Sequence, residues 1–271
     1  MKIVVLIKET IDLNSIDVDE NLYLPKDADS DDIQMNPNDK HAVETALQVK
    51  ETTENVIVHV MCLGSENSLK VIREAIAMGC DEGSRIESDD IDFLLSPMAK
   101  AKILTKAIEK HNPDFIITGM YSVDFGQAQL PVLLATAMNL PQVTYVNKFV
   151  LEGNSIIAER YIEGGSINLK VPVPCVLSIA STANEPRYTS VKRIMLAKKT
   201  TIPVISLSEL GFDDQKDYLK TVGGLEVIEI LAPKKEEVDC FKVEEDDLEV
   251  GVDKLLNKIK ENGIDLTVYK K

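Results

Sequence analysis

Runs of apolar residues rich in valine and isoleucine recur along the first half of the chain. The run at residues 3–7 is continuous, those at 56–61 and 115–118 contain one polar residue each, and a shorter strand-like segment covers residues 84–87. Such runs are typical of strands that are buried on both faces of a parallel sheet. Segments with helical spacing of apolar residues lie between them, so residues 1 to about 145 alternate strand and helix. This alternation predicts an α/β fold with a doubly wound, mainly parallel, Rossmann-like sheet.

Capping residues predict where the intervening helices begin and end. Asp39 and Ser65 are the expected N-caps of the first two helices, because their side-chain oxygens can accept hydrogen bonds from free backbone amides. Gly79 is expected to stop the second helix. Ser96, followed by Pro97, is expected to start the third helix.

The stretch from Phe115 to Leu130 contains the strongest signal for a binding site. A buried strand breaks at Gly119, continues into small and polar residues, and leads to an apolar helix expected from about Ala128 to Asn139. The first amides of such a helix lack intrahelical partners and attract anions, which favours a nucleotide phosphate here. An ordinary strand-to-helix turn is the alternative, since the stretch has no Walker or Rossmann glycine pattern.

Ligands of open parallel sheets bind where the strands end. The predicted strands of this chain end at Lys8 onward, at residues 62–65 and at residues 119–126. We therefore expect these three turns to line one crevice, with residues 36–39 close by.

The pattern changes after residue 143. Residues 144–151, 156–162 and 166–171 are short strand-like segments joined by glycine turns, which predicts β-hairpins. Residues 172–179 are expected to form another buried strand.

The C-terminal region has less core character. It contains a strand-like segment at 227–231, an acidic run at 236–249 and a predicted helix from about 251 to 262. We expect an α/β nucleotide-binding domain over residues 1–205 and a C-terminal arm over residues 206–271.

Composition excludes several kinds of function. The 271 residues carry a formal net charge of −15, which argues against non-specific binding to nucleic acid or anionic membranes. The four cysteines form no C-x-x-C pair, so no zinc site or disulfide framework is expected and a reduced, cytoplasmic location fits. The apolar run at the N-terminus is too short for a signal peptide or a membrane span. No nucleophile–base pair or metal-ligand cluster has a diagnostic spacing, so we expect no catalytic side chain and no metal.

Five short motifs in order resemble those of the electron transfer flavoprotein β subunit family. They are the Lys-x-x-x-Asp strand exit within residues 2–12, the Asn-Pro turn at 35–40, the Ala-x-x-Met-Gly-x-Asp segment at 75–81, the hairpin and proline strand at 163–176, and the Asn-Glu-Pro-Arg-Tyr segment at 184–188. Each motif is weak alone, but their order over about residues 1–205 makes the resemblance specific.

The resemblance implies electron transfer as one subunit of a heterodimer. The partner would be an electron transfer flavoprotein α subunit that holds a redox-active FAD, and the C-terminal arm would pack on it. The pair would carry electrons between a dehydrogenase, acyl-CoA dehydrogenase or a related enzyme, and another redox partner. Relatives with a second FAD oxidise NADH in electron bifurcation. Because a flavin carries the electrons, the protein would supply position and electrostatics.

The resemblance also implies a nucleotide site at the strand ends identified above. The implied cofactor-binding residues are Leu6, Asn36, Pro37, Asn38, Asp39, Cys62, Gly119, Ser122, Val123, Asp124, Phe125, Gly126, Gln127, Ala128, Gln129 and Leu130. We expect the amides of residues 126–129 to hold the phosphate and Asp124 to orient the turn or to accept from a ribose hydroxyl. Leu6, Cys62 and Val123 would pack against the adenine.

The identity of the nucleotide depends on a departure from the family pattern. The family usually has acidic residues at positions 124–126, whereas this chain has Phe125 and Gly126 after Asp124. The turn at residues 36–39 is similar to that of bifurcating relatives, and the segment at 184–187 is similar to that of AMP-binding ones. We favour FAD in this subunit. AMP is the alternative, and in that case the redox FAD would be held mainly by the α subunit.

A basic segment at residues 182–199 resembles the loop with which the family docks acyl-CoA dehydrogenases. Val191 stands where the family has an anchoring leucine, and an apolar anchor among cations fits a transient contact with an acidic partner. A solvated basic helix is the alternative. The implied docking residues are Asn184, Glu185, Pro186, Arg187, Tyr188, Val191, Lys192 and Arg193.

A second functional class shares the predicted fold. An adenine-nucleotide-binding regulator of the universal-stress type has a related α/β layer and no flavin. The hairpins after residue 143 and the basic segment after residue 184 argue against it, since such regulators end at about the size of one α/β domain.

Overall fold

The computed structural model describes residues 1–12, 32–88, 96–212, 240–243 and 247–264. The chain forms two compact units, Met1–Ile230 and Leu231–Lys271. The acidic run at 236–249 lies partly, and the predicted strand at 227–231 entirely, outside the described residues.

The first unit is built on one large sheet. The strands of the described chain are β1 (Lys2–Ile7), β2 (Glu9–Ile11), β3 (Ile33–Met35), β4 (Ile57–Gly64), β5 (Glu82–Glu87), β6 (Phe115–Gly119), β7 (Gln142–Glu152), β8 (Ser155–Ile162), β9 (Gly165–Pro172), β10 (Cys175–Ile179) and β11 (Val204–Ile205). The sheet has the order β11-β5-β4-β1-β6-β10-β7-β8-β9, while β2 and β3 pair separately. Every pairing from β11 to β7 is parallel, which confirms the mainly parallel sheet.

Helices of the first unit cover both faces of this sheet. The helices in the described chain are α1 (Pro37–Thr52), α2 (Ser68–Met78), α3 (Pro97–Glu109), α4 (Leu130–Met138), α5 (Val191–Lys199) and α6 (Leu248–Glu261), with a 3₁₀ turn at Ser208–Leu210. Of these, α6 belongs to the second unit. Ile3 and Val5 of β1 pack in a core with α1 and α2, whereas Val4 and Leu6 pack in a second core with α3 and α4. Side chains alternate between the faces of a strand, so a strand that is apolar at every position fills both cores. The doubly wound fold is confirmed.

The predicted hairpins extend the sheet beyond its parallel part. β8 pairs antiparallel with both β7 and β9. The turns place Gly153 at a φ of 59° and Gly164 at a φ of 80°, values that residues with a Cβ rarely adopt. The sequence prediction of two glycine-turn hairpins is therefore correct.

Helix starts were predicted with mixed success. Ser96 accepts from the Ala99 amide at 3.3 Å and Pro97 is the first helical residue, as expected. Gly79 ends α2, also as expected. The N-cap predictions for Asp39 and Ser65 are wrong, because α1 begins directly after Asn36 and α2 begins two residues later than predicted, at Ser68.

Two further helices start at positions that differ from the prediction. α4 begins at Leu130 rather than Ala128, since Ala128 has a left-handed φ of 52° that cannot continue into a helix. α6 begins at Leu248, with the Asp247 carboxylate accepting from the Glu249 amide at 2.9 Å. None of the described helices has both the length and the apolar content to cross a bilayer.

Candidate nucleotide-binding site and docking segment

A pocket opens at the carboxyl ends of β1, β4 and β6. It confirms the expectation that turns from separate strands meet at one edge of the sheet. The first turns of α3 and α4 complete its wall. The pocket is lined by Leu6, Ile7, Lys8, Asn36, Asp39, Met61, Leu63, Pro97, Lys100, Leu104, Thr118, Gly119, Met120, Tyr121, Ser122, Phe125, Gln127, Ala128, Gln129, Leu130 and Pro131.

Asp39 joins the start of α1 to two strand ends. Its carboxylate accepts a hydrogen bond from the Lys8 amide at 2.8 Å and another from the Gly119 amide. A Cβ added to Gly119 would lie 2.4 Å from Asp39 Oδ1 and 2.8 Å from the Asn38 carbonyl carbon. The glycine that ends β6 is therefore required by the close approach of α1.

Burial makes the Asp39 side chain a weaker acid than an ordinary carboxyl group. It raises the pKa of this carboxyl to about 7, although hydrogen bonds from Asn36, Lys8 and Gly119 oppose the shift. The pocket wall therefore contains a carboxyl group whose charge changes near neutral pH.

Two asparagines of the Asn-Pro turn hold the loop that follows β6. Asn36 donates to the Tyr121 carbonyl at 3.0 Å and accepts from the Val123 amide at 3.2 Å. Asn38 donates to the same Tyr121 carbonyl at 3.0 Å. The side chains of this turn shape the pocket loop by contacts within the protein.

The loop tightens again before α4. Gly126 donates its amide to the Ser122 carbonyl at 2.8 Å, with a φ of 61°. This amide, one of those expected to hold a phosphate, is thus engaged within the turn. Gln127, Ala128 and Gln129 follow it and line the pocket.

A cationic cluster stands beside this loop. The Lys8 ammonium forms an ion pair with Asp124 and lies 4.4 Å from the centre of the Phe125 ring. The Lys100 ammonium lies 5.1 Å from the centre of the same ring. Both distances permit a cation–π contact.

Burial, helped by the nearby Lys8 charge, lowers the pKa of Lys100 to about 8, while Asp124 opposes the shift. Burial alone would raise the pKa of Asp124. The Lys8 ammonium outweighs that effect and holds it below its ordinary value. Lys8 and Asp124 therefore form an ion pair, whereas Lys100 is a second, less strongly protonated cation in the same cluster.

The structure brings together many of the residues implied by the resemblance, but not all. Those lining the pocket are Leu6, Asn36, Asp39, Gly119, Ser122, Phe125, Gln127, Ala128, Gln129 and Leu130, and those outside its lining are Pro37, Asn38, Cys62, Val123, Asp124 and Gly126. Cys62 is buried in the core with α1 and α2, on the opposite face of β4. The expectation that the Cys62 side chain packs against an adenine in this pocket is therefore wrong, and its neighbours Met61 and Leu63 line the pocket instead.

Sequence reasoning missed the contribution of α3. Pro97, Lys100 and Leu104 line the pocket, although none of them belongs to a motif of the family resemblance. A signal was present in the helix itself: Lys100 and Leu104 are one helical turn apart, so a lysine occupies an otherwise apolar face.

The predicted docking segment is fastened to α1 at its beginning. Asn184 donates to the His41 carbonyl at 3.0 Å and to Thr45 Oγ1 at 2.8 Å. Arg187 binds the Glu44 carboxylate through two nitrogens, at 2.7 and 2.9 Å, and Glu51 through the third, at 2.5 Å. Burial acts to raise the pKa of Glu44, but the bonds from Arg187 outweigh it and the pKa lies below its usual range.

The end of the segment is the exposed helix α5. Ser190 caps it by accepting from the Arg193 amide at 3.3 Å, and the Arg193 guanidinium donates to the Met78 carbonyl at 2.7 Å. Arg187 and Arg193 therefore make contacts within the protein, and their role in docking stays a prediction. Tyr188, Val191, Lys192 and also Glu185 remain exposed, and Pro186 is partly covered.

Known proteins of similar sequence identify the family of this chain. The family described as the electron transfer flavoprotein domain matches residues 27–210. The Bacillus subtilis electron transfer flavoprotein subunit beta is 33% identical over 242 residues, 87% of this chain and 90% of its own. Its namesake in Thermoanaerobacterium thermosaccharolyticum is 33% identical over 81% of this chain and 84% of its own. The Bos taurus protein of that name is 36% identical over 66% of this chain and 71% of its own. Because the matches cover most of the sequence, the chain belongs to the electron transfer flavoprotein β-subunit family.

Proposed function

We propose that this chain is the β subunit of a heterodimeric electron transfer flavoprotein and binds an adenine nucleotide in the pocket at the carboxyl ends of β1, β4 and β6. The observation that carries the proposal is the composition of this pocket, in which an apolar wall meets a cationic mouth. An α subunit completes the heterodimer and holds the redox FAD, and the C-terminal arm over residues 206–271 packs on that subunit.

The residues of the pocket fit the two ends of an adenine nucleotide. Leu6, Met61 and Leu63 offer an apolar surface for the base. Lys8 and the segment 127–129 offer a cation and backbone amides for a phosphate. Nucleotide sites combine such a wall with a few polar groups that fix orientation.

Of the two nucleotides that fit, we propose FAD in this subunit, with AMP as the alternative. Gly126 stands where the family pattern has an acidic residue, so one negative charge is absent beside the pocket, which favours a ligand with more than one phosphate. A flavin bound here would supply one- and two-electron transfer. The protein's part is to hold and orient it and to keep the base out of water.

Counting nucleotides tests this assignment. This chain is purified as a heterodimer with its α subunit and denatured, and the released nucleotides are separated by chromatography and quantified. Two FAD per heterodimer support the FAD assignment and make NADH-dependent bifurcation the reaction to assay. One FAD plus one AMP gives the simple carrier form instead. Release of no adenine nucleotide beyond the redox FAD overturns the site.

We further propose that α5 docks the electron-donating dehydrogenase, an acyl-CoA dehydrogenase or a related enzyme. Val191, Met195 and Leu196 are more than half exposed, and lysines flank them on the same helix. An exposed apolar patch beside cations suits a transient contact with an acidic surface.

Substitutions at Val191 test the docking role. Val191→Glu is expected to slow reduction by the dehydrogenase about tenfold, because it places a charge at the centre of an apolar contact. Val191→Leu keeps the apolar anchor and is expected to keep the rate. Nucleotide content stays the same in both variants, since α5 does not line the pocket. Equal rates in all three proteins would assign docking to another surface.

A further inference from the structure

Lys100 occupies an unusual place on α3. It lines the pocket together with Pro97 and Leu104, whereas Ala99, Ala101 and other neighbours on this helix are buried in the core. A lysine that is turned toward a pocket loses part of its hydration, and this is unfavourable unless a partner compensates it.

Within the part of the chain that the structure describes, Lys8 has an ion-pair partner and Lys100 has none. Lys8 forms its ion pair with Asp124, and both ammonium groups lie over the ring of Phe125, at 4.4 and 5.1 Å from its centre. Among the described residues, no carboxylate lies within ion-pair distance of Lys100. Two cations thus share one aromatic ring and one carboxylate, which leaves the cluster with an excess of positive charge.

We infer that Lys100 is a specificity-determining residue of the nucleotide pocket, where it binds the phosphate of the ligand together with Lys8. The inference rests on the proposed nucleotide site and adds to it a residue from a helix outside the family motifs. An anion between the two ammonium groups would compensate the buried charge of Lys100 and reduce its repulsion with Lys8. The pocket then selects phosphorylated adenine compounds over the uncharged nucleoside.

The protonation of Lys100 gives this role a signature in pH. With a pKa of about 8, this ammonium loses its proton in the range where ordinary lysines keep theirs. The other charged or titratable groups in the cluster and pocket are Lys8 at the end of β1, Asp124 and Tyr121 in the loop after β6, and Asp39 in α1. Because Asp39 also titrates near neutrality, the pH dependence of Lys100 has to be separated by substitution.

Calorimetric titration of the full-length, nucleotide-stripped chain tests the inference with AMP, ADP and adenosine. Lys100→Met is expected to weaken AMP and ADP binding about tenfold, the usual effect of losing one charge-assisted contact, and to leave adenosine within about twofold. Lys106→Met is the matched control, because Lys106 lies on the same helix and pairs with Glu109 at the surface. It should change none of the three affinities.

Titrations between pH 7 and pH 9.5 provide a second readout. The wild-type chain is expected to lose AMP affinity about tenfold over this range, as Lys100 is deprotonated. Lys100→Arg keeps its charge throughout and should bind AMP with little change. A pH dependence that Lys100→Arg shares with the wild type belongs to Asp39 or another group and contradicts the inference.

The outcomes separate this inference from the proposed function. If the wild-type chain binds AMP and Lys100→Met binds it equally well, only the inference fails. If Lys100→Met loses AMP and adenosine in the same proportion, Lys100 contributes shape rather than charge, and the inference again fails alone. If the wild-type chain binds none of the three compounds, the role of Lys100 fails, and the nucleotide count of the heterodimer decides separately whether the site fails with it.

Discussion

At the scale of single residues, one contact decides the geometry of the pocket. Gly119 ends β6 where the start of α1 passes so closely that a methyl group has no space. Asp39 occupies that space and accepts from the amides of both Lys8 and Gly119. Two of the three strands whose ends form the pocket, β1 and β6, are thereby held to the same carboxylate.

Gly119→Ala is expected to lower the free energy of unfolding by about 2 kcal/mol, the usual cost of overpacking a tight contact. The new methyl group would meet Asp39 Oδ1 and backbone atoms of Asn38, and backbone cannot move aside as a flexible side chain can. Urea denaturation of the full chain measures the change.

Gly165→Ala provides the control, because a Cβ at Gly165 meets nothing within 4 Å. This variant should unfold at nearly the wild-type urea concentration. Equal stability of Gly119→Ala and Gly165→Ala would mean that α1 can shift away from β6 at little cost.

The sequence revealed Gly119 and Asp39 separately but not their contact. Local patterns identify Gly119 as the end of a strand and suggest Asp39 as a helix cap. Their contact joins residues far apart in the chain, and local patterns contain no information about such distances. For Lys100 the local pattern shows a lysine on an apolar helix face, but the pocket that this face lines depends on how α3 packs on the sheet.

At the scale of elements, the strands were predictable because their apolar runs are nearly continuous. Such runs do not show which side chains lie on which face of the sheet. In β4 the residues from Val58 to Leu63 are buried, so the sequence does not show which of them face the pocket. Cys62 was placed on the wrong face for this reason, whereas in the amphipathic hairpins the alternation of exposed and buried positions fixes the faces.

The docking segment at residues 182–199 shows a second limit of what the sequence of an element predicts. Its basic residues suggest a surface that binds partners, but Arg187 forms ion pairs with Glu44 and Glu51 of the same chain. Glu44 is buried, with a side chain only 6% exposed. The ion pair therefore fastens the segment to α1 and leaves α5 to present its apolar side chains in a fixed position.

Arg187→Met is expected to destabilise the chain by about 3 kcal/mol, because it leaves the Glu44 carboxylate buried without its cation. Lys170→Met is the comparison, since the Lys170–Glu152 pair is exposed and such pairs contribute well under about 1 kcal/mol. Urea denaturation measures both variants. Similar losses for the two would show that Glu44 finds water or another partner when Arg187 is removed.

At the scale of the whole molecule, charge is distributed unevenly. The chain has a net charge of −15, yet Lys192, Lys198 and Lys199 lie together on α5. Two sources of attraction to a charged partner are therefore possible: the acidic molecule as a whole would attract a basic partner, and the lysines of α5 would attract an acidic one. Both attractions weaken as salt screens the charges, so salt dependence alone does not separate them.

Removing lysines from two places separates these sources. The double substitution of Lys198 and Lys199 by serine is expected to slow reduction by the dehydrogenase about threefold at low salt and to flatten the salt dependence, because α5 steers an acidic partner. The same double substitution at Lys106 and Lys110 of the α3 region changes the net charge equally and should leave the rate unchanged. Stopped-flow reduction at about 20 and 300 mM salt measures both, well on either side of the ionic strength at which the screening length is about 10 Å. If both variants become faster instead, the net negative charge of the molecule attracts a basic dehydrogenase surface. Each lysine that remains weakens that attraction, and α5 is not the docking element.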